Sequence, residues 1–246
     1  MKIWVPTVPG AANQWSKVTL NNDFSFGSTG YHEESKTMKF VRAGALTDCR
    51  FQILLEIGLN HLANGQYRDA VISTQAALER YREFYLLVTA VKSGISYSKF
   101  SELWKILARQ SERQLGAYLA TVMFSTKSVG NDLSTANTEY RNVVVHGGFF
   151  PDEAKTMSFC LAVLAIMQND LGSMLVADRD SVLRAAEIEL SNRLPCPVDY
   201  RLSIAPLVDL IEVKNSDWIS RLTGHLEMLK KQRFNGINWP NYSWAR

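Results

Sequence analysis

The stretch Glu139-Tyr140-Arg141-Asn142-Val143-Val144-Val145-His146-Gly147-Gly148, followed by Pro151-Asp152-Glu153-Ala154 and a long apolar segment, decides how this chain reads. It sets Arg141, a permanent cation whose planar fork of donors suits a phosphate, near His146, whose ordinary pKa lets it exchange protons near neutral pH. On an ideal helix the two lie roughly 140° apart around the axis and about 7.5 Å along it. They share no stripe, whereas Asn142 and His146, four apart, do. A long Arg141 side chain can still curl toward a phosphate held by that stripe, which makes Asn142 a third candidate. Gly147-Gly148 closes the element. Pro151 reads as the first position of the next helix, with Asp152 and Glu153 at the positive end of its dipole. Val143-Val144-Val145 fits a short buried strand equally well, because β-branched residues favour strands, so periodicity leaves two backbones open. On either backbone a structural role is also open, with Arg141 paired to Glu139 or Glu153 and His146 capping a helix end.

Working outward, apolar residues recur at helical spacing from Leu46 to Leu62, and Asn64-Gly65 supplies a stop. A long amphipathic helix follows, with Tyr67, Ala70, Val71, Thr74, Leu78, Tyr81, Tyr85 and Val88 on one stripe; Arg68, Arg80, Arg82 and Glu83 lie largely off it. Gly94 breaks the pattern. From Ser98 a third helical run carries Phe100, Leu103, Trp104, Leu107, Leu115, Tyr118, Leu119 and Val122 to about Phe124. Ser125 to Ser134 reads as a connection in which Asp132 or Ser134 caps the following element. The helix opened by Pro151 is expected to end near Leu175, and another, starting beyond Ala177, stops at Pro195-Cys196-Pro197. A last helix runs from Ser216 to about Phe234, where Lys230-Lys231-Gln232-Arg233 reads as its C-terminal complement. The aromatic tail, with Trp239, Tyr242 and Trp244, reads as docking on its own core. Residues 1–43 are rich in Gly, Asn, Ser and aromatics, with alternating pieces such as Ile3-Trp4-Val5. The expected fold is mainly α: an N-terminal β or irregular arm over 1–45, a helical bundle over 46–177 and a C-terminal helical extension over 178–246.

Composition narrows the function classes. With 46% hydrophobic and 21% charged residues over 246 positions, the chain has the make-up of a globular domain and not of a disordered one. A formal charge of +3 is too mild to signal nucleic-acid binding in bulk, so any such site must be a local patch. Cys49, Cys160 and Cys196 form no zinc-type spacing and read as free thiols of a reducing compartment, with the cytoplasm as the expectation. His32, His61 and His225 read as structural or solvated. No signal peptide is expected at the N-terminus, and the most apolar stretch, Met157 to Met167, is too short to span a bilayer. No Gly-rich phosphate loop or nucleophile elbow is present.

The spacing of Arg141 and His146, the Arg-Asn and His-Gly pairs at the ends of that motif, and the preceding helix Tyr67-Arg68-Asp69-Ala70-Val71 through Ala77-Leu78-Glu79 together resemble the HEPN family, whose signature is R-x4-6-H. The resemblance covers about Thr47 to Leu175. It implies a helical bundle that pairs as a homodimer, so that two motifs face one cleft and cut RNA without a metal or other cofactor. It further implies products with a 2′,3′-cyclic phosphate and a 5′-hydroxyl. Arg141 would hold the scissile phosphate, His146 would transfer protons and Asn142 would orient one of them. Arg80 and Arg82 would line the cleft as substrate contacts, although charges on an amphipathic helix ordinarily form a solvated face. Family members often act as toxins or anti-phage effectors, which implies an antitoxin or sensor partner. One departure stands out: members regulated through His-x-Tyr carry a tyrosine where this chain has Gly148. The competing expectation is a non-catalytic helical module that binds a partner protein or a nucleotide.

Overall fold

The computed structural model describes residues 2–6, 15–19, 30–34, 41–46, 48–193, 200–202, 207, 208, 210 and 218–235, the strands by their backbone alone. The Pro195-Cys196-Pro197 boundary and the tail from Trp239 to Trp244 lie outside the described residues. The fold is mainly α.

Helix α1 (Arg50–Ala63) is followed by a turn in which Gly65 takes φ 74°, and α2 (Tyr67–Lys92) returns along α1. The pairing is antiparallel. At one end Phe51 sets its ring edge-on to Tyr81, 5.3 Å between centroids, and against Phe84 at 5.2 Å, all three at most 1% exposed. At the other end Gly58 faces Thr74 so closely that a Cβ on Gly58 would stand 2.5 Å from Thr74 Oγ1 and 3.2 Å from the Thr74 amide. That close approach requires glycine.

After Gly94, at φ 70°, the expected single run divides into α3 (Tyr97–Leu107) and α4 (Ser111–Thr126). The break comes at Gln110, extended at φ −145°, ψ 132°, and the Gln114 amide covers the freed Ala108 carbonyl at 3.4 Å. Apolar residues keep helical spacing on both sides, so the interruption left no mark in the pattern.

The contested segment is helical. Helix α5 (Thr135–Val145) starts at Ser134, whose hydroxyl accepts the Asn137 amide at 3.2 Å, as one of the two expected caps would. Helix α6 (Glu153–Arg193) begins two residues later than expected: its first residue is Glu153, not Pro151, and Asp152 caps it by accepting the Lys155 amide at 2.8 Å. At Asp178 the backbone leaves the helical region (φ −164°, ψ 78°), and its carboxylate takes the Ser181 amide and hydroxyl at 3.1 and 2.8 Å. Two helices are thereby joined end to end, the second capped by Asp178, where sequence reading placed a boundary. The Ser181 bonds hold the Asp178 carboxyl below its ordinary pKa.

By length and composition, residues Glu153 to Asn192 would suffice to cross a bilayer, which reading Met157 to Met167 alone did not foresee; 56% of the apolar window is buried within the protein. Phe159, Val163, Leu164 and Met167 are at most 1% exposed, as in a core helix.

Two compact units are present. One gathers the antiparallel pair β1 (Lys2–Pro6) and β2 (Trp15–Thr19), the sheet in which β3 (Gly30–Glu34) pairs antiparallel and β5 (Tyr200–Leu202) parallel to β4 (Val41–Leu46), and residues 187–193. The other, described over 50–186, 207, 208, 210 and 218–235, is the helical bundle. It includes α7 (Trp218–Asn235), which packs on α1 through His225 Nε2, 2.9 Å from Glu56 Oε2; both side chains are about 5% exposed.

Candidate functional site: the end of helix α5

Helix α5 is fixed to the bundle from several directions. Val144 is fully buried, and the Tyr140 ring meets Phe149 edge-on at 6.5 Å and Phe159 at 6.1 Å. The Tyr140 hydroxyl lies 3.1 Å from Thr156 Oγ1 on α6. Burial raises the Tyr140 pKa, so this hydroxyl stays protonated at neutral pH. At the C-terminal end, Gly147 and Phe149 both donate to the Val143 carbonyl, at 3.0 and 3.2 Å. The next two carbonyls, of Val144 and Val145, are taken by Arg68 from α2, its Nε and Nη2 each at 3.4 Å.

This frame leaves His146 exposed as the residue that ends α5, its amide donating to Asn142 at 2.9 Å. Asn142 and Val143 are exposed on the same side of the helix. Arg141 lies on the half-buried flank, three residues before buried Val144, with Nε shielded from solvent and without a hydrogen-bond partner among the described residues. Neither suggested structural pairing of Arg141, with Glu139 or Glu153, occurs. Glu153 instead accepts Lys230 at 2.8 Å and Tyr67 at 3.4 Å, and Lys230 holds its carboxyl below the ordinary range. Gly148 sits at φ 68°, a left-handed position that disfavours the tyrosine found there in His-x-Tyr motifs.

Arg80 and Arg82 are engaged elsewhere. Arg80 donates to Glu83 at 2.8 Å with its guanidinium 5.4 Å from the Trp104 ring centre. Arg82 is 4% exposed and bonds Asp132 at 2.5 Å. Burial lowers its pKa, partly opposed by Asp132. Because α2 rises about 1.5 Å per residue, they stand about 18 and 21 Å along the helix from Arg68, which meets the C-terminal end of α5; Arg82 lies beside the N-terminal approach to α5 through Asp132.

A polar cluster that sequence reasoning missed fixes that approach. Asp170 of α6 accepts the Tyr118 hydroxyl and the Asn131 amide, the latter at 3.1 Å. Tyr118 also reaches the Asn131 carbonyl at 3.4 Å. Burial raises the pKa of Asp170, and burial together with the Asp170 bond raises that of Tyr118. Gly130 lies against Leu119 and Val122, where a Cβ would come within 3.1 and 3.2 Å. The connection read as merely polar is thus clamped between α4 and α6.

Cys49 and Cys160 are both buried, and burial pushes the Cys160 thiol up to about 11, which keeps it protonated at neutral pH. No group of three His, Cys, Asp or Glu residues suited to a metal occurs among the described residues. No protein-family model, curated protein or solved structure matches the chain.

Proposed function

We propose that the protein is a metal-independent endoribonuclease of HEPN type. Arg141 binds the scissile phosphate, His146 transfers protons and Asn142 orients the reacting group, with a second copy of the chain completing the cleft. The observation that carries this reading is the pairing of an exposed, helix-ending His146 with an Arg141 that has no carboxylate partner among the described residues. A guanidinium matched to a carboxylate is already neutralised, whereas Arg141 keeps its charge for a phosphate.

Cleavage needs a base for the 2′-hydroxyl, an acid for the departing 5′-oxygen and charge stabilisation at phosphorus. One imidazole serves one proton transfer at a time, so two motifs facing each other supply both. Exposed Val143 (47%), Phe149 (40%) and Phe150 (90%) beside His146 offer apolar surface for a second copy to cover. The same surface favours the competing reading, a module that docks a partner protein without cutting RNA. The fragment ends formed on defined RNA in EDTA separate the two: 2′,3′-cyclic phosphate and 5′-hydroxyl ends support the nuclease, and intact RNA supports the module. Toxin or anti-phage activity, with an antitoxin or sensor partner, is the biology this chemistry fits.

A further inference from the structure

We propose that Arg68 is a second phosphate ligand of this site, contributed by α2 and absent from the R-x4-6-H motif; the inference rests on the nuclease reading for its substrate, an RNA phosphodiester. Arg68 is exposed, and its two bonds to the Val144 and Val145 carbonyls place the guanidinium beside the residue that precedes His146. Those bonds use two of the five guanidinium N–H groups, and at 3.4 Å each they lie at the long end of the useful range. Three donors remain.

Charge bookkeeping separates Arg68 from its neighbours. Arg50 and Arg80 pair with Glu83, Arg82 with Asp132 and Lys230 with Glu153. Arg68 bonds only to carbonyls among the described residues, so its positive charge is uncompensated, as is that of Arg141. The negative end of the α5 dipole favours a cation here and the fork suits two successive carbonyls, but that capping role uses only one edge of the guanidinium. A phosphodiester at the end of α5 would use the rest: it accepts from the free edge of Arg68, held at the Val144 and Val145 carbonyls, and from Arg141 three residues before Val144, with His146 following directly at the helix end.

The test separates capping from phosphate binding. Affinity for a 2′-O-methyl RNA oligonucleotide, which lacks the attacking hydroxyl, is measured across a NaCl series with full-length wild type, Arg68→Gln and Arg68→Lys, alongside urea unfolding of each. Gln keeps a donor for the carbonyls and removes the charge; Lys keeps the charge. The expected result is about a tenfold loss of affinity for Arg68→Gln, a salt slope shallower by about 0.7, and a slope near wild type for Arg68→Lys. Wild-type affinity and slope in Arg68→Gln, a loss that merely follows instability in both variants, or no binding by wild type would overturn the proposal. Wild type that binds with this Arg68 dependence yet leaves unmodified RNA intact would defeat the nuclease reading alone. Wild type that cleaves while Arg68→Gln binds unchanged would defeat this inference alone.

Discussion

Asp170 shows how much one buried side chain can hold. It accepts from Tyr118 and Asn131, and so ties the segment leading into α5 to α6. Tyr118→Phe removes one of those donors from a buried carboxyl group and is expected to cost about 1–3 kcal/mol in urea unfolding. The pH dependence has a definite sign. Since burial raises the folded pKa of Asp170 above its unfolded value, the folded state holds the proton more tightly. The resulting stabilisation is full below about pH 4 and is lost as pH rises through the folded value. Asp170→Asn lacks that titration, so its stability relative to wild type should improve as pH is raised from 4 to 8; parallel curves would contradict the assignment. Gly148, at φ 68°, is a second sensitive residue: Gly148→Ala should cost about 1 kcal/mol through strain at the turn behind His146. Arg141, Asn142 and His146 were singled out by residue type and spacing alone, and the structure adds only how exposed each is. The contacts of Asp170, Tyr118 and Arg68 were not legible, because they join residues 39 to 77 positions apart.

At the scale of elements, the α1–α2 hairpin depends on Gly58. Gly58→Ala pushes a methyl into Thr74 and its backbone, and should destabilise the bundle by about 1–3 kcal/mol in denaturant unfolding. Docking of α7 depends on the buried contact between His225 and Glu56, which also lies 3.3 Å from the Asn60 amide nitrogen. Removing one partner of such a pair leaves a buried polar group unmatched, so Glu56→Ala should cost about 3–5 kcal/mol. A double-mutant cycle with His225→Ala should recover part of that loss; strict additivity would argue against the contact. Helix starts were readable where a capping side chain marks them, as at Ser134, and the stops at Gly65 and Gly94 where a positive φ calls for glycine. The break between α3 and α4 was not, because Gln110 is no strong breaker and apolar spacing continues past it. His225, read as structural or solvated, is structural, and its partner 169 positions away could not be inferred from helix periodicity.

At the scale of the molecule, the helical unit presents one helix end, that of α5, where His146 is exposed, two cations lack carboxylate partners among the described residues and apolar side chains reach solvent. The mainly α architecture followed from the 3.6-residue period of the sequence. The inclusion of α7 in the helical unit did not, because association between distant helices is set by side-chain fit and not by local pattern. The central claim is that this helix end cuts RNA, and it is tested most directly by incubating cellular RNA in EDTA with wild type, Arg141→Ala and His146→Ala proteins whose folding and dimerisation are verified in parallel. The account predicts cleavage by wild type and a loss of at least about 100-fold in each variant, the scale of a missing proton-transfer or charge-stabilising group. Intact RNA with wild type, or equal cleavage by all three, would contradict it.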